Sequence, residues 1–123
     1  MYLAMNRFRV APGQEAAFED LWLSREVYLH TVPGFQRFHM LKGPRVEEGG
    51  EHIHTLYASH TTWASEAAFR DWTRSQAFRD AHKGAGSHAH LYVGGPQLEM
   101  FDAVQTVHAD GTSEVNESKR TIA

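Results

Sequence analysis

An α+β domain with one antiparallel sheet and its helices on one face is predicted by three observations. Four stretches alternate apolar and polar residues with period two, two others gather apolar residues at helical spacing, and their order along the chain is β-α-β-β-α-β. That order is the split βαβ of a ferredoxin-like domain. The 123 residues suffice for one such domain with a single modest core.

Tyr2 to Val10 forms the first strand, with Tyr2, Ala4, Asn6 and Phe8 on one face and Leu3, Met5, Arg7 and Arg9 on the other. Ala11-Pro12-Gly13 breaks it. From Gln14 to about His30, Ala17, Phe18, Leu21, Trp22, Tyr28 and Leu29 gather on the broad stripe of an amphipathic helix, which Val32-Pro33-Gly34 ends. Alternation resumes over Phe35 to Leu41. After the Lys42-Gly43-Pro44 break and the Glu47-Glu48-Gly49-Gly50 turn, a hairpin returns through Glu51 to Trp63. Ser65 is a candidate cap for the next helix, and Ser75 for a second short one. Gly84 to Pro96 is glycine-rich and long, the pattern of a mobile loop or lid. Gln97 to His108 returns to strand patterning, so the domain is expected to span residues 1–108. Residues 109–123 are polar, without periodicity, and are expected to form a frayed tail. Leu3 and Met5 give the second face of the sheet an apolar character, which predicts that two sheets pack together as a homodimer.

Composition narrows the function. A formal charge of −3 offers no footprint for nucleic acid, and no apolar run reaches membrane-spanning length. Cysteine is absent, which excludes disulfides, thiolate metal sites and a cysteine nucleophile. Met1 to Asn6 lacks the basic start and long apolar run of a signal peptide, so a cytoplasmic protein is expected. The nine histidines include neither a helical HExxH nor a zinc-finger spacing; His88 and His90 lie in a Gly/Ser/Ala stretch.

The chemistry gathers in Phe69-Arg-Asp-Trp72-Thr-Arg-Ser75-Gln-Ala-Phe78-Arg-Asp-Ala-His82-Lys83-Gly84. Phe69 and Trp72 stand three apart and Phe78 and His82 four apart, so each pair shares a helix face. With Ser75 starting a new helix between them, Trp72 and His82 are aimed at one pocket. The same residues would also serve as ordinary core with a histidine favoured at a helix end. Asn6 is the odd residue of its strand, an amide within an apolar face whose hydrogen bonds the fold or a ligand must meet.

Asn6 in Met5-Asn6-Arg7, Trp72 in Phe69-Arg-Asp-Trp72, and His82 in Phe78-Arg-Asp-Ala-His82 together resemble the triad of the IsdG-type heme-degrading monooxygenases, within the antibiotic-biosynthesis-monooxygenase (ABM) superfamily. The Pro33-Gly34-Phe35 turn is similar to the superfamily at large. The resemblance runs from Met1 to about Phe101; the hairpin at 42–51, the loop at 84–96 and the tail depart from it. It implies a dimeric α+β barrel in which heme is both substrate and cofactor. His82 would bind the heme iron, the Asn6 amide would hydrogen-bond toward the oxygen ligand, and Trp72 would ruffle the macrocycle, with Phe69 and Phe78 beside it. Dioxygen and electrons from an external reductase would open the porphyrin at a meso carbon and release iron. The propionates call for cationic donors, for which Arg25, Arg79 and Lys83 are candidates. Two other readings use the same pocket: a cofactor-independent ABM-type oxygenase of a polyaromatic or quinol substrate, and a heme carrier without turnover.

Overall fold

The computed structural model describes residues 1–25, 28–82 and 85–122. Strand β1 (Tyr2–Val10) runs through the middle of a four-stranded antiparallel sheet, paired on one side with β3 (Glu51–Trp63) and on the other with β4 (Gln97–Asp102). Strand β2 (Phe35–Glu48) completes the order β2-β3-β1-β4. Period two then sorts every residue. Tyr2 lies opposite Trp63, Ala4 opposite Thr61, Asn6 opposite Ser59 and Phe8 opposite Tyr57, and this face carries the helices. The ferredoxin-like arrangement, with helices on one face of the sheet, is as the sequence predicts.

Two clusters make the core. Helix α1 (Glu15–Ser24) lays Phe18 against Phe8 and Tyr57, at ring separations of 5.7 and 4.6 Å, and Val10 closes that cluster. Helix α2 (Glu66–Thr73) lays Phe69 against Tyr2 and Trp63, at 5.6 and 6.0 Å, with Ala4 and Leu29. The tilted and edge-on rings are the arrangements that the aromatic quadrupole favours. Gly34 fixes how closely α2 approaches: its φ of 82° suits glycine, and a Cβ there would sit 2.5 Å from the Ala68 methyl.

Several boundaries differ from the sequence expectation. Helix α1 stops at Ser24, whose hydroxyl donates to the Leu21 carbonyl while Arg25 turns extended; a separate 3-10 turn, Leu29–Thr31, follows. The Lys42-Gly43-Pro44 segment does not end β2. The register shifts there, Gly43 lies against the Leu56 carbonyl where a Cβ would come within 3.0 Å, and a proline is tolerated because β2 is an edge strand. The stretch after His82 is not wholly a lid. It forms 3-10 turns over Ala85–Leu91, buries Leu91, and is tied to the end of β1 where Ala11 N–H donates to the Leu91 carbonyl and Val93 N–H to the Arg9 carbonyl. The strand expected from Gln97 to His108 is interrupted after Asp102: its later part, β5 (Gln105–Val107), forms a hairpin with β6 (Ser113–Val115), which lies in the stretch expected as an unpatterned tail. No helix among the described residues is long and apolar enough to cross a membrane.

Candidate active site

Ser75 builds the site's sharpest turn. Its hydroxyl donates to the Trp72 carbonyl at 2.6 Å, at the end of α2, and accepts from the Phe78 N–H at 3.1 Å in the first turn of α3 (Gln76–Ala81). Two helices that could not have been one continuous cylinder are thus joined at an angle that brings their rings together. Trp72 meets Phe78 edge-on at 4.9 Å, Phe78 overlies His82 at 4.1 Å, and Trp72 and His82 are 6.1 Å apart. Trp63 and Phe69 back Trp72 at 5.2 and 6.2 Å. Phe69 is 4% exposed and belongs to the core behind Trp72.

His82 caps the C-terminus of α3, and its Nδ1 lies 2.8 Å from the Phe78 carbonyl oxygen. A carbonyl can only accept, so this contact places a proton on Nδ1, and in the neutral ring that tautomer leaves the lone pair on Nε2. Imidazoles that bind metals are commonly oriented by this type of backbone hydrogen bond.

A cleft of about 420 Å3 lies beside this wall, lined by Tyr28, Leu29, Trp72, Gln76, Ala77, Asp80 and Ala81. The volume is in the range of small-molecule sites. Gln76 and Asp80 are joined by a 2.7 Å hydrogen bond, and Ala77 and Ala81 leave room by being small. Sequence reasoning passed over these four residues, although Gln76-Asp80 and Ala77-Ala81 each stand four apart on α3.

Asn6 lies on the same side of the sheet, between the two core clusters: Ala4 before it belongs to one and Phe8 after it to the other. Its neighbours across the strands are Ser59 and Leu98. The Oδ1 atom is buried and has no hydrogen-bond partner among the described residues. A buried acceptor without a donor costs roughly 1–3 kcal/mol, which a ligand donating to it would offset.

The cationic candidates are placed differently from one another. The half-buried Arg25 caps the end of α1 with its guanidinium 4.5 Å over the Trp22 ring; burial lowers its pKa from the ordinary arginine value, and the neighbouring Tyr92 phenol opposes that. Arg79 is exposed and bonded back onto its own surroundings, through Nε and Nη2 to Gln76 Oε1 and through Nη1 to the Arg74 carbonyl. Lys83 lies outside the described residues.

The sequence profile of the family described as antibiotic biosynthesis monooxygenase matches residues 1–84. Over 42 residues, 34% of this chain, the sequence is 40% identical to a heme-degrading monooxygenase of Shouchella clausii, and that match spans 38% of the relative's length. Among solved structures, the heme degrader MhuD of Mycobacterium tuberculosis, with two hemes bound in its active site, superposes with a TM-score of 0.62 at 28% identity, over 88% of this chain and 100% of that one. A mutant of MhuD carrying two manganese protoporphyrin IX molecules per active site gives 0.64 at 27%, over 89% and 100%. SnoaB, a cofactor-independent oxygenase of Streptomyces nogalater, gives 0.56 at 23% identity, over 85% and 94%, a likeness of fold alone.

Proposed function

Because the chain belongs to the antibiotic biosynthesis monooxygenase family, we propose that it is a heme-degrading monooxygenase, which binds heme as substrate and cofactor and opens the ring with dioxygen and external electrons. The observation that carries this reading is the 2.8 Å contact of His82 Nδ1 with the Phe78 carbonyl oxygen, on a ring 6.1 Å from Trp72, which lines the cleft. The bound heme supplies iron for oxygen activation and is itself the carbon skeleton attacked.

The residues present fit that group. His82 Nε2 is the iron ligand. Trp72, held from behind by Trp63 and from the side by Phe78, has little freedom to yield and would be the rigid surface against which a bound macrocycle rests. The Asn6 amide carries both donor and acceptor atoms, and a rotation of its side chain exchanges which of them faces the gap. Its unmet Oδ1 marks a place where hydrogen-bonding capacity is held ready for the oxygen side of the site. Of the cations, Arg25 suits a propionate best, being half-buried and stacked on Trp22 with its charge kept, whereas Arg79 has its donors engaged. The electron donor is a reductase, in a cytoplasmic setting. Two copies pack through the sheet face that bears Leu3 and Met5.

One experiment on the purified protein tests this reading. Hemin should bind through His82 with a Soret band, His82→Ala should lose the high-affinity complex, and ascorbate should bleach the wild-type band with release of iron to a ferrous chelator. Absence of a Soret band returns the protein to cofactor-independent oxygenation, and a band that survives reductant makes it a carrier. Light scattering on the same sample should give about twice 13.9 kDa; a monomer removes the dimer.

A further inference from the structure

Trp72 on α2 and His82 at the end of α3 are ten residues apart, and in one continuous helix that spacing would separate them by about 15 Å along the axis. Their rings are instead 6.1 Å apart. The break that makes this possible is at Ser75, whose backbone is extended at φ −87° and ψ 162°. Core packing does not hold it there. None of the six residues of α3 is buried, and so short a helix does not stand by itself. Helix α2 differs, because Phe69 roots it in the core at 4% exposure.

We propose that Ser75 is a positioning residue of the site: by bonding to both helices, its hydroxyl holds His82 against Trp72. The heme reading supplies what the pair binds; the geometry supplies how the pair is held. The hydroxyl accepts from the Phe78 N–H at 3.1 Å and so caps α3, while its own proton goes to the Trp72 carbonyl at 2.6 Å, one of the last acceptors of α2. That second bond is the tie. It ends on the backbone of the residue whose ring faces His82, and the Ser75 N–H reaches the same carbonyl at 2.9 Å. Arg79 adds a bond across the break, from Nη1 to the Arg74 carbonyl at 3.2 Å, on the exposed side. Ser65, the cap of α2, offers the contrast: its hydroxyl accepts from the Ala68 N–H at 3.1 Å, and it joins no second helix among the described residues. Capping and tying are separable by chemistry. A carboxylate in place of the hydroxyl still accepts from the Phe78 N–H, but it has no proton for the Trp72 carbonyl.

The test uses the intact chain, first without heme. In wild type, nuclear Overhauser contacts are expected between the indole protons of Trp72 and the ring protons of His82. Ser75→Asp and Ser75→Ala should lose them while keeping those between Trp72 and Trp63, whose rings are 5.2 Å apart; that second contact, with circular dichroism, confirms the fold. Ser75→Thr retains both an acceptor and a proton and should behave as wild type. So should Ser65→Ala, which loses a cap of the same kind. With hemin added, Ser75→Asp should bind about tenfold more weakly than wild type, as loss of the support behind a metal ligand does. Wild-type ring contacts or wild-type hemin affinity in Ser75→Asp would make Ser75 a cap only. Loss of the contacts in Ser65→Ala would make the effect one of capping in general. Either result overturns the role given to Ser75. If wild type binds no hemin, the heme reading fails, and the ring contacts still decide whether Ser75 holds His82 in place.

Discussion

The two halves of the helix-covered face start from the same materials and finish differently. Both stand on β1 and β3, and both are built of tilted aromatic rings. The half around Phe8, Phe18 and Tyr57 is covered by a ten-residue helix and braced by polar groups that answer one another, beside a polar cleft of about 380 Å3 lined by Glu15, Lys42, Arg45, His52 and Thr55. The Tyr57 hydroxyl and Lys42 Nζ both donate to Glu19 Oε2, and the Thr55 hydroxyl donates to Glu15 Oε1 at 3.0 Å with His52 Nε2 3.0 Å away on its other side. The half around Tyr2, Trp63 and Phe69 is covered by helices of eight and six residues and opens into the cleft at Trp72. Asn6 sits at the seam with its oxygen unanswered. Trp22 Nε1 beside the first cluster and Trp63 Nε1 in the second are also buried without a partner among the described residues, so the halves differ in their cover: the second leaves an aromatic wall bordering a cleft, where there is space for a ligand.

The largest expected effect tests that contrast. Phe18 is fully buried in the closed half, and Phe18→Ala should cost about 3–5 kcal/mol in urea unfolding, as removal of a buried phenyl ring does. Trp72 is half-buried, so Trp72→Ala should cost only about 1–2 kcal/mol from its lost apolar contact. Heme turnover should rank the two in reverse: Trp72→Ala is slow, whereas the milder Phe18→Leu works near the wild-type rate. Equal losses of stability at the two positions would mean that the open half is ordinary core.

Much of this contrast is legible in the sequence, and its limits are physical. Period two in β1 separates Tyr2, Ala4 and Phe8 from Leu3, Met5 and Arg7 without error, since burial of one face enforces the alternation. Ser65 and Ser75 are readable as caps because the hydroxyl bonds are local. The ring cluster of Trp72, Phe78 and His82 follows from those caps. What the sequence hides is long-range. Glycine and proline at 43 and 44 look like a strand end, but a bulge on an edge strand accommodates both. The anchoring of Leu91 and Val93 to β1 depends on backbone bonds that no side-chain pattern encodes. Arg79 has the charge a propionate would want, and only its hydrogen bonds reveal that it is engaged.

A smaller effect, opposite in sign for stability and for activity, is expected at the seam. Asn6→Leu removes an amide whose Oδ1 is buried and unpaired, and should leave the heme-free protein as stable as wild type or about 1 kcal/mol more stable. The variant should keep a Soret band with hemin and bleach it markedly more slowly with reductant, as befits a group that acts beyond the ground state. A loss of stability would show that the amide is a satisfied structural element; wild-type bleaching would remove it from the chemistry.

The smallest effect belongs to the closed half and appears only at high pH. Burial, aided by the hydrogen bond to the Glu19 carboxylate, pushes the Tyr57 phenol up to about 12. In the unfolded chain the same phenol ionises near 10, at about the ordinary tyrosine value. A group whose pKa is raised by folding lends stability that is fully present below its unfolded pKa and is lost as pH rises through its folded one. Wild-type stability should therefore lose the Tyr57 contribution between about pH 10 and 12. Tyr57→Phe has no proton to hold there. It should unfold at lower urea than wild type at neutral pH, and the gap between the two proteins should narrow steadily across that alkaline window. Tyr92, whose pKa burial also raises, is common to both and drops out of the difference. Parallel curves above pH 10 would mean that the phenol is not sealed by α1, and the closed half would then differ from the open one in degree only.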